Sequence, residues 1–331
     1  MQNRIVVVFG GAGYVGSVLV PNLLAQGFKV RVFDTFWYGE EVLHAVQKNK
    51  RVEFIKGDIR NIKSVTQSLK GATDVIHLAC ISNDPSFNLN PELGKSINLD
   101  SFKPLVLAAK KMGVERFIYA SSSSVYGVKE EPNVTENLSL EPLTDYSKFK
   151  AICENILLEL TSDNFVCTVL RPATICGVST RQRFDLSVNI LTNHAINYGK
   201  ITVHGGSQFR PNLHIEDMSR VYIKIVNAEP KIISNKIYNV GGENLSIDRI
   251  AGIVSEQTNV KNIIIEPTDD LRSYRIDSSK IKNEIGFAPI KTVKDAVADL
   301  KKAFEMNLFK NSTKNSLYFN IKRMTEISNG K

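Results

Sequence analysis

Near its start the chain reads RIVVVFGGAGYVG, an apolar β-branched run followed by glycines at positions 10, 13 and 16. An unbroken apolar run without polar alternation suits a strand buried on both faces. Glycines that turn such a strand directly into a helix place strong limits on the fold, because they announce a strand–helix unit of a parallel sheet. The helix is expected to begin near Tyr14 and to end before Gly27. The same alternation continues: KVRVF, VEFI, DVIHLA, RFIYA and FVCTVL are short apolar runs with helical stretches between most of them. We therefore expect an α/β chain whose doubly wound parallel sheet is covered by helices on both faces. Pro21 and Pro104 fall inside expected helices, which predicts kinks or displaced helix ends there.

After LRPATICG the texture changes. Residues 172–209 are polar and irregular apart from one expected helix around FDLSVNILTNHAINYG. NLHIEDMSRVYIKIV and KIYNVGG then read as a helix and a strand returning to the sheet. We expect a cofactor domain of residues 1–171 plus about 210–242. A smaller, discontinuous substrate domain should use residues 172–209 and 243–331. With 331 residues the chain has room for both.

Several function classes can be set aside. No apolar run reaches the roughly 18 residues of a membrane span. MQNRIVVVFGG is too short and too polar at its end for a signal peptide, so a cytoplasmic protein is expected. The four cysteines stand singly and the five histidines show no ligand spacing, which argues against disulfides and against a metal site. The net charge of +8 invites a nucleic-acid reading, but the basic residues are dispersed apart from a cluster in the C-terminal LKKAFEMNLFKNSTKN. That segment reads as a solvated basic face and polar tail. The charge suits an anionic small molecule such as a nucleotide diphosphate.

The glycine turn gives this a place. Gly10, Gly13 and Gly16 let backbone approach a pyrophosphate whose charge faces the helix N-terminus. Asp34 ends the second strand, where a carboxylate can accept from an adenosine ribose and repel a 2′-phosphate, so NAD is favoured over NADP. Of the ten tyrosines, only Tyr146 and Tyr318 have a lysine four residues on. Tyr318 lies in the polar tail and is set aside. Tyr146 and Lys150 lie on one face of the helix DYSKFKAICENILLEL, downstream of the strand RFIYA and its serines. A phenol near pKa 10 needs about 4 kcal/mol of preferential stabilisation to work as a base near neutrality. A cation or two roughly 4 Å away supplies that much. The pair therefore suits removal of a hydroxyl proton as hydride leaves the same carbon.

Taken together, the motifs resemble the extended short-chain dehydrogenase/reductase family, specifically its nucleotide-sugar epimerases and dehydratases. GGAGYVG, GDI, HLAC, SSSSVYG, YSKFK, LRPATICG, FRPNLHIED and YNVGGEN occur in the family's order over nearly the whole chain. The resemblance implies a Rossmann-type domain with NAD bound by Gly10, Gly13, Tyr14, Val15, Gly16, Asp34, Asp58, Ile59, Leu78, Ala79, Tyr146 and Lys150. It implies that Ser122 and Tyr146 are catalytic, with Lys150 on the nicotinamide ribose. It puts Ser82, Ser123, Asn189, Arg210 and Arg272 at a nucleotide-diphosphate sugar, with Arg181 and Arg183 as weaker candidates. Family dehydratases place Asp-Glu or Ser-Glu where this chain has Ser123 and Ser124. An uncharged hydroxyl replaces such an acid poorly, which disfavours dehydration. The reading is NAD-dependent oxidoreduction at C4, as epimerase or dehydrogenase, with a 4-ketoreductase as alternative and a 4,6-dehydratase or a non-catalytic dinucleotide-binding module less favoured. The family also implies a homodimer or higher homo-oligomer, with the helices after residues 98 and 145 available for a dimer.

Overall fold

The described residues form twelve strands: β1 (Ile5–Phe9), β2 (Lys29–Asp34), β3 (Val52–Lys56), β4 (Asp74–His77), β5 (Arg116–Ala120), β6 (Val166–Pro172), β7 (Thr174–Cys176), β8 (Ile201–His204), β9 (Phe209–His214), β10 (Lys236–Val240), β11 (Glu243–Ser246) and β12 (Ile263–Glu266). The computed structural model describes residues 4–270 and 272–329. Met1, Gln2, Asn3, Leu271, Gly330 and Lys331, which belong to the two expected domain spans, lie outside the described residues. Seven strands form one sheet in the order β3-β2-β1-β4-β5-β6-β10, every pair parallel. Strand order reverses between β1 and β4, so a crevice opens outside their carboxyl ends.

The pleat of β1 explains its composition. Val6 and Val8 pack on one face of the sheet with Leu19 and Leu23, whereas Val7 and Phe9 pack on the other with Val75 and Phe117. Helices on both faces make both sets apolar. The first helix, Gly16–Ala25, runs through Pro21. Pro104 sits in the first turn of the helix Phe102–Lys111, directly after a widened π-helical turn at Ser96–Asp100. A wide turn there accommodates the missing donor and the ring of the proline. It also aims Asn98 at the loop after β4, where its amide accepts from Ile81 N (2.9 Å) and donates to Ile81 O (3.0 Å).

The second core gathers Val188, Leu191, Ile250, Val254 and Val297 beside two small sheets, β11-β9-β7 and β12-β8. β9 pairs with β7 and β11, so the return to the large sheet starts with the helix Ile215–Asn227 and ends with β10 at the sheet edge. The C-terminal segment is not a free polar tail. Phe309 and Tyr318 pack on Phe184, and Met324 of the helix Asn320–Ser328 is buried beside the large sheet's helices. Removal of those apolar groups from water outweighs the local abundance of lysine. No helix among the described residues is long and apolar enough to cross a membrane.

Candidate active site

A cleft of about 610 Å³ runs along the carboxyl edge of the sheet, walled by the large sheet's loops and by the second core's loops. Gly10, Gly13, Tyr14, Val15, Gly16, Asp34, Asp58, Ile59, Leu78 and Ala79 all line it. The glycines are required by space. Gly10 has φ +80°, and a Cβ there would meet Ala79 N at 2.6 Å; one on Gly16 would meet Gly11 O at 2.5 Å. Backbone packed this closely leaves room above the first helix turn, which is the cradle a pyrophosphate needs. The Asp34 carboxylate accepts from Ala12 N and Phe36 N, both 2.9 Å. Burial raises its pKa above the usual carboxylate range against those amide hydrogen bonds. Asp58 is held by Arg60 through its side chain and backbone.

Each of the four serines has its own partner. Ser121 donates inward to Glu154. Ser122 caps the short turn Ser123–Tyr126 by accepting from Ser124 N at 3.1 Å, and its Oγ lies 2.8 Å from Ser124 Oγ. Ser123 donates to Tyr274 OH at 3.4 Å. Ser122 also lies beside Tyr146, close enough to bear on its phenol. Tyr146 is the second residue of the helix Asp145–Glu159, whose N-terminus is capped by Thr144 accepting from Ser147 N at 3.3 Å. One turn on, Lys150 is fixed by donating to Ala120 O at 2.6 Å, with its Nζ 5.8 Å from the Tyr146 ring centroid. Ser122, Tyr146 and Lys150 therefore converge at the end of β5. Burial pushes the Tyr146 phenol well above its ordinary pKa, aided by Cys80 and Asp84 and opposed by Arg183 and Ser122. In this state the phenol is protonated near neutrality, so its activation requires a further positive charge in the cleft.

Other candidates lie farther along the cleft. Ser82 Oγ accepts from Arg183 Nη1 (3.2 Å) and Asn320 Nδ2 (3.1 Å). Arg210 and Arg272 line the cleft and share Asp270, at 2.8 and 2.7 Å. Burial alone would raise Asp270, but the Arg272 hydrogen bonds and the charge of Arg210 hold it down to about 2. Asn189 needs correction. It is fully buried, donates to Tyr14 OH and Arg183 O (2.9 Å each) and accepts from Gly177 N (3.0 Å). With its polar atoms occupied inside the protein, it braces the cleft wall instead of facing a ligand.

Asp84 is a cleft residue that the sequence reading missed. It accepts from Thr144 Oγ1 and Arg272 Nη1, each at 2.5 Å, so both its oxygens are engaged. A signal was present in NDPS, the start of a short helix capped by Asn83 accepting from Ser86 N at 3.0 Å. Arg181, Arg183 and Asp185 also line the cleft, as do Trp37 and Tyr38. Tyr318 does not line it, although its carbonyl accepts from Phe184 N at 2.9 Å. Among the described residues no cluster of three His, Cys, Asp or Glu side chains is arranged to hold a metal ion. The four cysteines are free.

Comparison with known proteins points the same way. Residues 6–241 match the sequence model of the NAD dependent epimerase/dehydratase family. A dTDP-glucose 4,6-dehydratase of Streptomyces griseus is 28% identical over 305 residues, covering 88% of this chain and 91% of that protein. A UDP-glucose 4-epimerase of Lactobacillus helveticus is 26% identical over 254 residues, covering 71% and 76%. The crystal structure of a Streptomyces venezuelae dTDP-glucose 4,6-dehydratase with NAD bound superimposes with a TM-score of 0.85 at 23% identity, covering 94% of this chain and all of that one. That likeness establishes a shared fold.

Proposed function

The chain belongs to the NAD-dependent epimerase/dehydratase family, and on that footing we propose that it oxidises and reduces C4 of a nucleotide-diphosphate sugar, as a 4-epimerase or a 4-dehydrogenase. The observation that carries this reading is the convergence of Ser122, Tyr146 and the anchored Lys150 on the cleft, beside a serine turn that holds no carboxylate. Gly10, Gly13 and Gly16 would hold the dinucleotide's phosphates, and Asp34 its adenosine ribose. When bound, the nicotinamide supplies a hydride acceptor and its positive charge.

Ser122 holds the sugar hydroxyl, and Tyr146 takes the hydroxyl proton once positive charge beside it offsets the cost of burying a phenolate. Lys150, pinned on Ala120 O, keeps its ammonium on the same side as the phenol. Arg210 and Arg272 grip the diphosphate in place of the Asp270 carboxylate, for which the planar guanidinium fork is suited. Dehydration would need an acid and a base for the C5 proton and C6 hydroxyl. Ser123 and Ser124 supply neither, and Asp84 has both oxygens bound to Thr144 and Arg272. The identity to a dehydratase supports the family and leaves the reaction to the site.

We further read the protein as a homodimer. The helices Phe102–Lys111 and Asp145–Glu159 pack together and leave Leu107 and Ile152 exposed. The deciding experiment offers a panel of nucleotide sugars to the purified protein and follows product mass, C4 stereochemistry and NADH absorbance together. Unchanged mass with inverted C4 identifies an epimerase, and loss of two hydrogens with NADH formation a dehydrogenase. Consumption of NADH with a 4-keto sugar identifies a ketoreductase, and loss of water overturns the reading of the serine turn.

A further inference from the structure

Arg181 carries a buried charge with which no carboxylate among the described residues makes a salt bridge or hydrogen bond. The residue is 4% exposed and lines the cleft. Its neighbour Arg183 takes Asp185 at 2.8 Å, and that carboxylate also accepts from Asn83 Nδ2 (3.2 Å) and Asn320 N (3.1 Å). Asp34 spends its oxygens on backbone amides. Arg181 has only neutral acceptors, Asn320 Oδ1 at 2.5 Å and Gln182 O at 3.4 Å, and its Nε has no hydrogen-bond partner among the described residues. Burial, with the charge of Arg183, pulls its pKa down to about 10 against the opposing pull of Tyr38 and Asp185, so it remains a cation at neutral pH. An ion held this way costs several kcal/mol unless an anion arrives.

Its position says which anion. The Arg181 N–H faces Ser17 Oγ (3.4 Å) in the first turn of the helix that follows the glycines. The guanidinium lies 3.6 Å from the centroid of the Tyr38 ring, in the loop just beyond Asp34. Arg210 and Arg272, by contrast, are each matched by the Asp270 carboxylate. We propose that Arg181 closes on the dinucleotide's pyrophosphate from the side opposite the glycine turn, and that the C-terminal helix holds it ready through Asn320. This rests on the family's use of NAD. Asn320 also donates to Ser82 Oγ (3.1 Å), and Arg323 of the same helix donates to Trp37 O (2.5 Å). The C-terminal segment thus ties the loops after β2 and β4 to the clamp.

Trp37 is the only tryptophan and lines this cleft, so its fluorescence reports binding directly in the full chain. Adenosine, ADP-ribose, NAD and UDP would be titrated into wild type, Arg181→Gln, Arg181→Lys and Asn320→Ala. Loss of one or two charge-assisted hydrogen bonds predicts about tenfold to a hundredfold weaker ADP-ribose and NAD binding in Arg181→Gln. Adenosine and UDP should stay within twofold, Lys should recover part of the loss, and Asn320→Ala should show a smaller deficit of the same pattern. Because Gln removes a buried charge that lacks a salt bridge, the ligand-free variant should melt no lower than wild type while losing much of the NAD-induced shift in Tm. Unchanged NAD affinity, equal weakening of adenosine, selective loss of UDP, or a strongly destabilised ligand-free Arg181→Gln protein would each overturn the proposal. Failure of wild type to bind NAD would instead remove its premise.

Discussion

Replacing Glu154 by Gln tests how the helix Asp145–Glu159 is locked to the sheet. Arg171 on β6 holds both Glu154 oxygens, through Nε at 3.0 Å and Nη2 at 2.7 Å, with side-chain exposures of 3% and 1%. The same carboxylate accepts from Ser121, and Arg171 Nη1 donates to Tyr126 OH at 2.8 Å. Glutamine keeps the shape but leaves a buried guanidinium without its counter-charge, a loss of about 3–5 kcal/mol. For 331 residues the unfolding entropy is about 0.7 kcal/mol/K, so Tm should fall by roughly 4–7 °C. The assay is thermal unfolding of the single variants and of the double variant Glu154→Leu/Arg171→Met. Removing both charges abolishes the desolvation cost, so the double variant should recover more than half of the loss. A double variant as unstable as the two single losses added together would refute this account of the pair.

Acid should loosen the second core's grip on the cleft. Asp270 lies near 2 when folded against 3.8 otherwise, so its contribution is complete above about pH 4 and is lost as pH falls from 4 towards 2. Unfolding measured over that range should lose this component in Asp270→Asn, and an identical acid profile in the variant would contradict it. Burial raises the Tyr14 and Tyr222 phenols, so the unfolded chain releases protons first above pH 10 and stability falls as pH rises further. Tyr14→Phe should show a shallower alkaline decline in Tm, and an unchanged slope would count against burial as the cause. Ile152→Glu on the exposed helix face should give a monomer by sedimentation while wild type sediments as a dimer; a monomeric wild type would end that reading.

The sequence announced those parts of the fold whose cause is local. Gly10 and Gly16 are fixed by contacts a Cβ would violate, and the parallel sheet by runs such as Val6–Phe9 that are apolar on both faces. Tyr146 and Lys150 converge because four residues make one helical turn. What stayed hidden depends on distant partners. Asn189 is polar and sits at the start of a helix, and nothing in its neighbours reveals that Tyr14 and Gly177 consume its amide. The pairing of Arg181 with Asn320 joins segments 139 residues apart. The C-terminal fold-back did leave a trace in Phe319, Met324 and Ile327, apolar residues spaced among polar and basic ones.

The central claim, that the Tyr146 phenol removes the sugar's hydroxyl proton, is tested most directly by turnover of Tyr146→Phe on the nucleotide sugar that wild type accepts, with NAD affinity measured on the same preparation. General-base removal predicts turnover lower by about 10²–10⁴-fold at unchanged NAD affinity. Turnover within tenfold of wild type, with the sugar still converted, would contradict the account.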